Sequence, residues 1–157
     1  MNTKELKISY EEFLSLDELP AADRELAQAA IKAMESSYAP YSHFNVGAAV
    51  RLGDGTIVIG SNQENAAYPS GLCAERTALF AAGAQHPDQP VLSLAVTGGS
   101  DMVIEEEPAT PCGACRQVMA QYQLKSGCPM SVILVGRKAI WKFAKVDDIL
   151  PFIFTSI

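Results

Sequence analysis

Three of the four cysteines in this chain fall in two short stretches, Leu72-Cys73-Ala74-Glu75-Arg76 and Pro111-Cys112-Gly113-Ala114-Cys115. A catalytic zinc takes three ligands from protein, so that the fourth tetrahedral position stays open for water. Cys73, Cys112 and Cys115 make that count. Glu75 stands two residues past the first of them, near enough to reach a metal-bound water yet spare as a ligand, which suits a proton carrier. The pattern points to Zn2+ as cofactor and to acid-base work on an activated water. A structural zinc would close all four positions, with Cys128 or His86 drafted as the fourth ligand, but that gives no reason for Glu75. A dithiol redox centre at Cys112 and Cys115 leaves Cys73 unexplained.

For two separated stretches to meet at one ion, each has to open a helix. Pro111 suits a helix start because its missing N–H would be unpaired there anyway. Cys112 and Cys115, three apart, then share a face, while Cys73 and Glu75 converge only if their side chains lean back toward the N-terminal pole. The positive ends of both helices favour thiolate over thiol.

Around these stretches the periodicity predicts a helix from Pro20 to about Ser37, with Leu26, Ala30, Ala33 and Met34 at helical spacing. It then predicts strands at Phe44 to Leu52 and Thr56 to Ser61, joined by Gly53-Asp54-Gly55 as a hairpin. The Cys73 helix is expected to close at Gly83 and Pro87. Val91 to Thr97 reads as a buried strand bounded by Gly98-Gly99, and Asp101 to Ala109, with its three glutamates, as an exposed loop. The second cysteine helix runs to about Lys125, before Gly127. Ser131 to Val135 is a further buried strand, Ala139 to Phe143 an edge strand, and Val146 to Leu150 a short helix. Leu6, Ile8 and Tyr10 suggest a short extended segment. Strands alternating with helices make an α/β fold of one domain over residues 1–157, with 1–20 as a lead-in.

Cys73-Ala74-Glu75, a long spacer, then Pro111-Cys112-x-x-Cys115 resembles the signature of the zinc nucleoside and nucleobase deaminases, with Cys in place of the His of their His-x-Glu form. Three further stretches, Tyr41-Ser42-His43-Phe44-Asn45-Val46-Gly47-Ala48-Ala49, Asn62-Gln63-Glu64-Asn65-Ala66-Ala67-Tyr68 and Cys112-Gly113-Ala114-Cys115-Arg116-Gln117, are similar to the small homotetrameric cytidine deaminases. The likeness runs from about Ala22 to Leu150. It implies a three-layer α/β/α fold with a mixed sheet of about five strands, and hydrolysis of cytidine and 2′-deoxycytidine to the uridines and ammonia, in pyrimidine salvage. It implies Glu75 as the proton carrier between water, ring N3 and the departing amine. It places Phe44 and Ala74 at the pyrimidine, Asn62 and Glu64 at the ribose, and Arg76, or alternatively Arg116, beside the thiolates to offset their charge. Tyr68 and Phe154 match residues that reach a neighbouring subunit's pocket, so active sites at the interfaces of a homotetramer are expected. Gln63 departs from the family, where an apolar residue is usual. It should point away from Asn62 and Glu64.

Composition agrees with a small-molecule partner, a pyrimidine nucleoside. The net charge of −6 argues against nucleic acid, whose binders carry basic patches. No run reaches membrane-span length and the first residues lack an apolar signal core, so no membrane association and a cytoplasmic location are expected. In a reducing compartment four cysteines read as ligands and thiols instead of disulfides. Cys128 reads as a small packed residue, and His43 and His86 as solvated or locally bonded. The uncharged end, Leu150 to Ile157, is expected to pack against something. Rival functions are deamination of another aminopyrimidine nucleoside such as blasticidin S, a polynucleotide-editing deaminase, and a zinc module without catalysis. Asn62-Gln63-Glu64-Asn65 speaks against the first and the acidic charge against the second.

Overall fold

The regular elements, in the computed structural model, are β1 (Glu11–Phe13), α1 (Ala21–Ala33), β2 (Phe44–Leu52), β3 (Ile57–Ser61), α2 (Ala74–Gln85), β4 (Val91–Ser100), α3 (Gly113–Ser126), β5 (Ser131–Val135) and β6 (Ile140–Phe143). The structure describes residues 1–156, so Ile157 of the apolar tail lies outside the described residues. The strands form a mixed sheet in the order β1-β6-β5-β4-β2-β3. Only the central β4–β5 pair is parallel among the named strand pairs.

Alternation along the central strands feeds two cores. Ala48, Val50, Leu94, Val96, Val132 and Leu134 face one way, against Ala78, Leu79 and Ala82 of α2 and Met119 and Ala120 of α3. Ala49, Ala95, Ile133 and Val135 face the other way, against Leu26, Ala27 and Ala30 of α1. Helices therefore cover both faces, giving the three-layer α/β/α fold. Each fully buried leucine, such as Leu26 or Leu79, stabilises it by about 2 kcal/mol. Close approach of α2 to β3 depends on Gly60, where a Cβ would run into the backbone of Ala74 and Ala78.

Topology brings the chemistry to one end of the sheet. β3 and β4 are both antiparallel to β2, hence parallel to each other, so the helices that follow them start from the same end. That end is also where β2 begins, at Phe44. The N-termini of α2 and α3, the start of β2 and the exit of β3 thus meet there.

Several expectations need correction. The sheet has six strands instead of about five, because β1 adds to β6. It lies at 11–13, just past the Leu6 to Tyr10 alternation. β6 is consequently an inner strand and not an edge. Trp141 Nε1 donates to Glu12 at 2.8 Å and Tyr10 stacks on Phe143 with ring centroids 5.2 Å apart, contacts that hold the lead-in in place. Gly83 does not close α2. It lies within the helix, where the Tyr122 ring of α3 fills the space a side chain would need. β4 runs through Gly98-Gly99 to Ser100, because pairing with Phe44 to Val46 continues there and the Val103 backbone crosses Gly99 too closely for a side chain. α1 ends at Ala33 and passes into a 3-10 turn at Met34–Ser36, and the turn expected at 146–150 is 3-10 over Val146–Asp148. α3 stops at Gly127, whose φ of 66° is left-handed and suits glycine.

Candidate active site

Cys73 and Cys112 are the N-caps of α2 and α3. Both have extended backbones, with ψ of 155° and 164°, as N-cap residues do. The Cys112 Sγ accepts the N–H of Cys115 at 3.4 Å. Cys115, one turn along, is fully buried and points the same way. The Sγ atoms of Cys73 and Cys112 are 3.9 Å apart, and all three sulfurs lie within 4.8 Å of one another. A tetrahedron of sulfurs at about 2.3 Å from zinc has edges of about 3.8 Å, so the cluster has close to the needed size. Pro111 precedes the cap instead of sitting inside the helix.

Electrostatics also call for a cation. Cys73 is held well below the ordinary thiol value, to about 5, by the hydrogen bond from Cys115 and by the Arg76 guanidinium. Cys115 is pushed up by that same hydrogen bond and by burial. Three sulfurs this close cannot all ionise without a positive ion among them. Three soft donors with tetrahedral spacing suit zinc better than a hard, oxygen-seeking cation.

Glu75 is 4 % exposed. Burial, helped by the Cys73 thiolate, raises its carboxyl to about 7. Arg76 sends Nη2 to the Cys73 sulfur at 3.6 Å and keeps its Nε buried without a partner. Arg116 is engaged otherwise: its Nε donates to the Pro111 carbonyl at 2.8 Å and its Nη1 to the Ile149 carbonyl at 2.7 Å. Arg76 is thus at the thiolates, while Arg116 braces the loop that carries Cys112. Ala74 is fully buried in the first turn of α2.

The other half of the site is made from strand ends. Asn62 uses its amide as a surrogate peptide group, accepting from Val46 N–H at 2.8 Å and donating to the Phe44 carbonyl at 2.8 Å. One Nδ2 hydrogen and one Oδ1 lone pair remain for another partner. Glu64 Oε2 accepts from the N–H groups of Tyr41 at 2.8 Å and Ser42 at 3.3 Å. Its carboxyl is held below the usual range by the Ser42 hydroxyl first and the Tyr41 N–H next. Gln63 does point away, donating to the Ser36 carbonyl at 3.2 Å and to Ser61 Oγ at 3.1 Å. Its backbone exchanges two hydrogen bonds of 2.9 Å with Leu72, which splices the Asn62–Glu64 segment onto the residue before Cys73. Phe44 is half-buried.

Tyr68 and Phe154 stay outside this cluster, 92 % and 64 % exposed. The Phe154 carbonyl accepts from Gln117 Nε2 at 2.8 Å. His43 sits in the turn before β2 with φ of 56°, His86 caps the end of α2, and Cys128 follows α3. Ser42 and the Gln63–Leu72 pairing went unnoticed in the sequence. A serine two residues ahead of a strand suggests only a turn, and nothing local signals a bond to a carboxylate 22 residues on.

Comparison with known proteins agrees with this geometry. The family model described as "Cytidine and deoxycytidylate deaminase zinc-binding region" matches residues 20–128. A cytidine deaminase of Halalkalibacterium halodurans is 41 % identical over 133 residues, 83 % of this chain and 92 % of that protein. One of Sporosarcina psychrophila is 43 % identical over 125 residues, covering 80 % and 85 %. The crystal structure of a cytidine deaminase from Burkholderia pseudomallei superposes with a TM-score of 0.71 at 40 % identity, over 83 % of this chain and 97 % of that one.

Proposed function

Since this chain belongs to the cytidine and deoxycytidylate deaminase family, we infer that it is a zinc-dependent cytidine deaminase, which hydrolyses cytidine to uridine and ammonia. The single observation that carries the reading is a buried acid, Glu75, held beside three sulfurs spaced for one zinc. When bound, zinc supplies a Lewis acid that lets water ionise near neutral pH. Cys73, Cys112 and Cys115 hold it. A carboxyl raised to about 7 both takes and returns a proton at that pH. Glu75 accepts the proton of water, gives it to ring N3 as oxygen adds to C4, then takes the proton of the new C4 hydroxyl and passes it to the amine as the C4–N bond breaks, leaving the C4 carbonyl and ammonia. Arg76 offsets the negative charge of the thiolates, which would otherwise weaken the acidity of the water.

In the sugar half, Glu64 accepts from ribose hydroxyls, Asn62 presents its remaining amide hydrogen, and Phe44 and Ala74 lie against the ring. The 2′-deoxynucleoside is a second substrate. The whole chain, 1–157, acts as one domain, whose six-stranded sheet is shared by the site and both cores. Four of these chains assemble, and Tyr68 and Phe154 close neighbouring pockets. This is supported by their exposure and by that of Phe152, 96 %, in a tail without charge. Free cysteines suit a reducing cytoplasm, and a nucleoside substrate suits pyrimidine salvage. No described helix is long and apolar enough to cross a membrane.

The test is direct. Pure protein loaded with zinc should abolish the cytidine absorbance band while leaving thymidine and adenosine unchanged. A protein that holds zinc but leaves cytidine intact would be a metal module and not this enzyme.

A further inference from the structure

Gly98, near the end of β4, is buried, yet its backbone does not call for glycine: the positive-φ glycines among the described residues are Gly55 and Gly127. The reason for the missing side chain lies across the strands. In the β2–β4 register Val96 opposes Ala48, Gly98 opposes Val46 and Ser100 opposes Phe44, and Val96, Ala48 and Val46 belong to the core under α2 and α3. By alternation Gly98 and Phe44 face that same way, toward the helices that Cys73 and Cys112 cap. The Phe44 ring leans diagonally over Gly98. A Cβ there would stand 3.0 Å from ring atom Cε1, 3.2 Å from Val46 Cγ2 and 3.3 Å from the Asn45 carbonyl oxygen. Carbon atoms rest about 3.5 to 4.0 Å apart, so the ring would have to shift by roughly half an ångström. At Gly99 it is the Val103 backbone that crowds a side chain. At Gly98 the tightest neighbour is a ring that can move.

We propose that Gly98 is a positioning residue for the pyrimidine: by carrying no side chain it lets the Phe44 ring settle onto β4, and so sets where that ring stands against the base. The inference rests on the reading of Phe44 as the residue against the pyrimidine. A glycine kept for packing alone would change stability whatever stands at position 44. One that seats the ring changes substrate affinity only while the ring is there.

The test is a double-mutant cycle on zinc-loaded enzyme. The KM and kcat for cytidine, zinc content and thermal unfolding are measured for Gly98→Ala, Phe44→Ala and the two combined. Gly98→Ala should raise the KM by roughly two- to tenfold, the range that an offset ring contact carries, with zinc retained and little change in kcat. In the Phe44→Ala background the same change should leave the KM where Phe44→Ala alone puts it. Crowding against Val46 then registers only in unfolding, alike in both backgrounds. Should Phe44→Ala not fold, Phe44→Leu, which also lacks the crowded ring atom, takes its place. If Gly98→Ala folds only when Phe44 is replaced as well, the ring is what excludes the side chain, as inferred. If it folds in neither background, the glycine serves the strand and the inference is overturned. If Phe44→Ala leaves the KM unchanged, the pyrimidine reading of Phe44 fails and this inference with it. If Phe44→Ala raises the KM while Gly98→Ala leaves it unmoved, or moves it equally in both backgrounds, Gly98 alone is overturned.

Discussion

The site has two halves built by different means. The cysteine half stands on two helix N-termini, with Cys115 and Glu75 buried and carrying the largest perturbations of acidity in the molecule among the described residues. The sugar half stands on a turn and two strand ends, held by hydrogen bonds from side chain to backbone, and it faces solvent. Burial amplifies charge interactions, so the first half suits bond making and breaking. Hydrogen bonds on a half-wet surface give modest energies but fixed directions, so the second suits orientation and choice of ligand. Changes in the first half should strike metal content and kcat, and changes in the second should strike KM.

The largest effect belongs to the ligands. Cys112→Ala should lose zinc and activity together, since it opens the triangle of sulfurs and removes the cap of α3. Metal analysis by mass spectrometry checks this, and full zinc in the variant would break the assignment. Glu75→Gln is next. It keeps the shape and should keep zinc and nucleoside binding, but kcat should fall by at least about 10²-fold, the lower end for a removed general acid or base. A near-normal kcat would move the chemistry away from the buried half.

In the sugar half the signature is ligand-dependent and responsive to pH. Hydrogen bonds hold the Glu64 carboxyl below its usual range, so its charge, and any affinity that needs it, is present above that lowered value and lost as pH falls through it. Ser42→Ala removes the largest cause. Affinity for uridine, taken relative to 2′,3′-dideoxyuridine, should then begin to fall at a higher pH than in the parent. His43 is the last of the causes acting on Glu64, and His43→Gln would separate it from the effect. An unmoved acid limb would leave Ser42 without electrostatic consequence. A smaller loss is expected from ending the chain after Pro151. Zinc should stay, while nucleoside affinity drops because Phe154 is gone, and light scattering should show the intact protein near the mass of four chains. A fully active monomer would mean that the sugar half needs no cover from outside.

The two halves were also unequally legible in the sequence. Cys73, Glu75, Cys112 and Cys115 announce themselves because metal chemistry restricts residue type and spacing within a few positions. Strands such as Phe44 to Leu52 and Ser131 to Val135 are legible because burial on one or both faces writes a local pattern. What stayed hidden depends on partners distant in sequence. β1 is two glutamates and a phenylalanine, made a strand by Lys142, Trp141 and Ile140 opposite them. Gly83 looks like a helix stop until Tyr122 is seen to occupy its side. Asn62 invites reading as a turn cap or a sugar ligand, yet its amide first completes the backbone of β2. No pattern within a ten-residue window carries such facts.

The smallest expected effect is a null one, and it tests whether position and not residue type makes the metal site. α3 has cysteines beyond both ends: Cys112 caps its start, and Cys128 follows Gly127 at its finish. At about 1.5 Å per residue, the helix separates them by roughly 20 Å. The N-terminal sulfur accepts the Cys115 N–H and lies among the sulfurs of Cys73 and Cys115. Cys128 instead borders a cleft of about 390 Å³ lined by Ala120, Leu124, Pro129 and Lys145, far from Cys73. Cys128→Ala should therefore keep full zinc, kcat and KM, and cost under about 1 kcal/mol in stability for a half-buried small side chain. Zinc counts and thermal unfolding of the variant check both. A loss of zinc there would show that the fourth thiol takes part after all, and would close the open position that deamination requires.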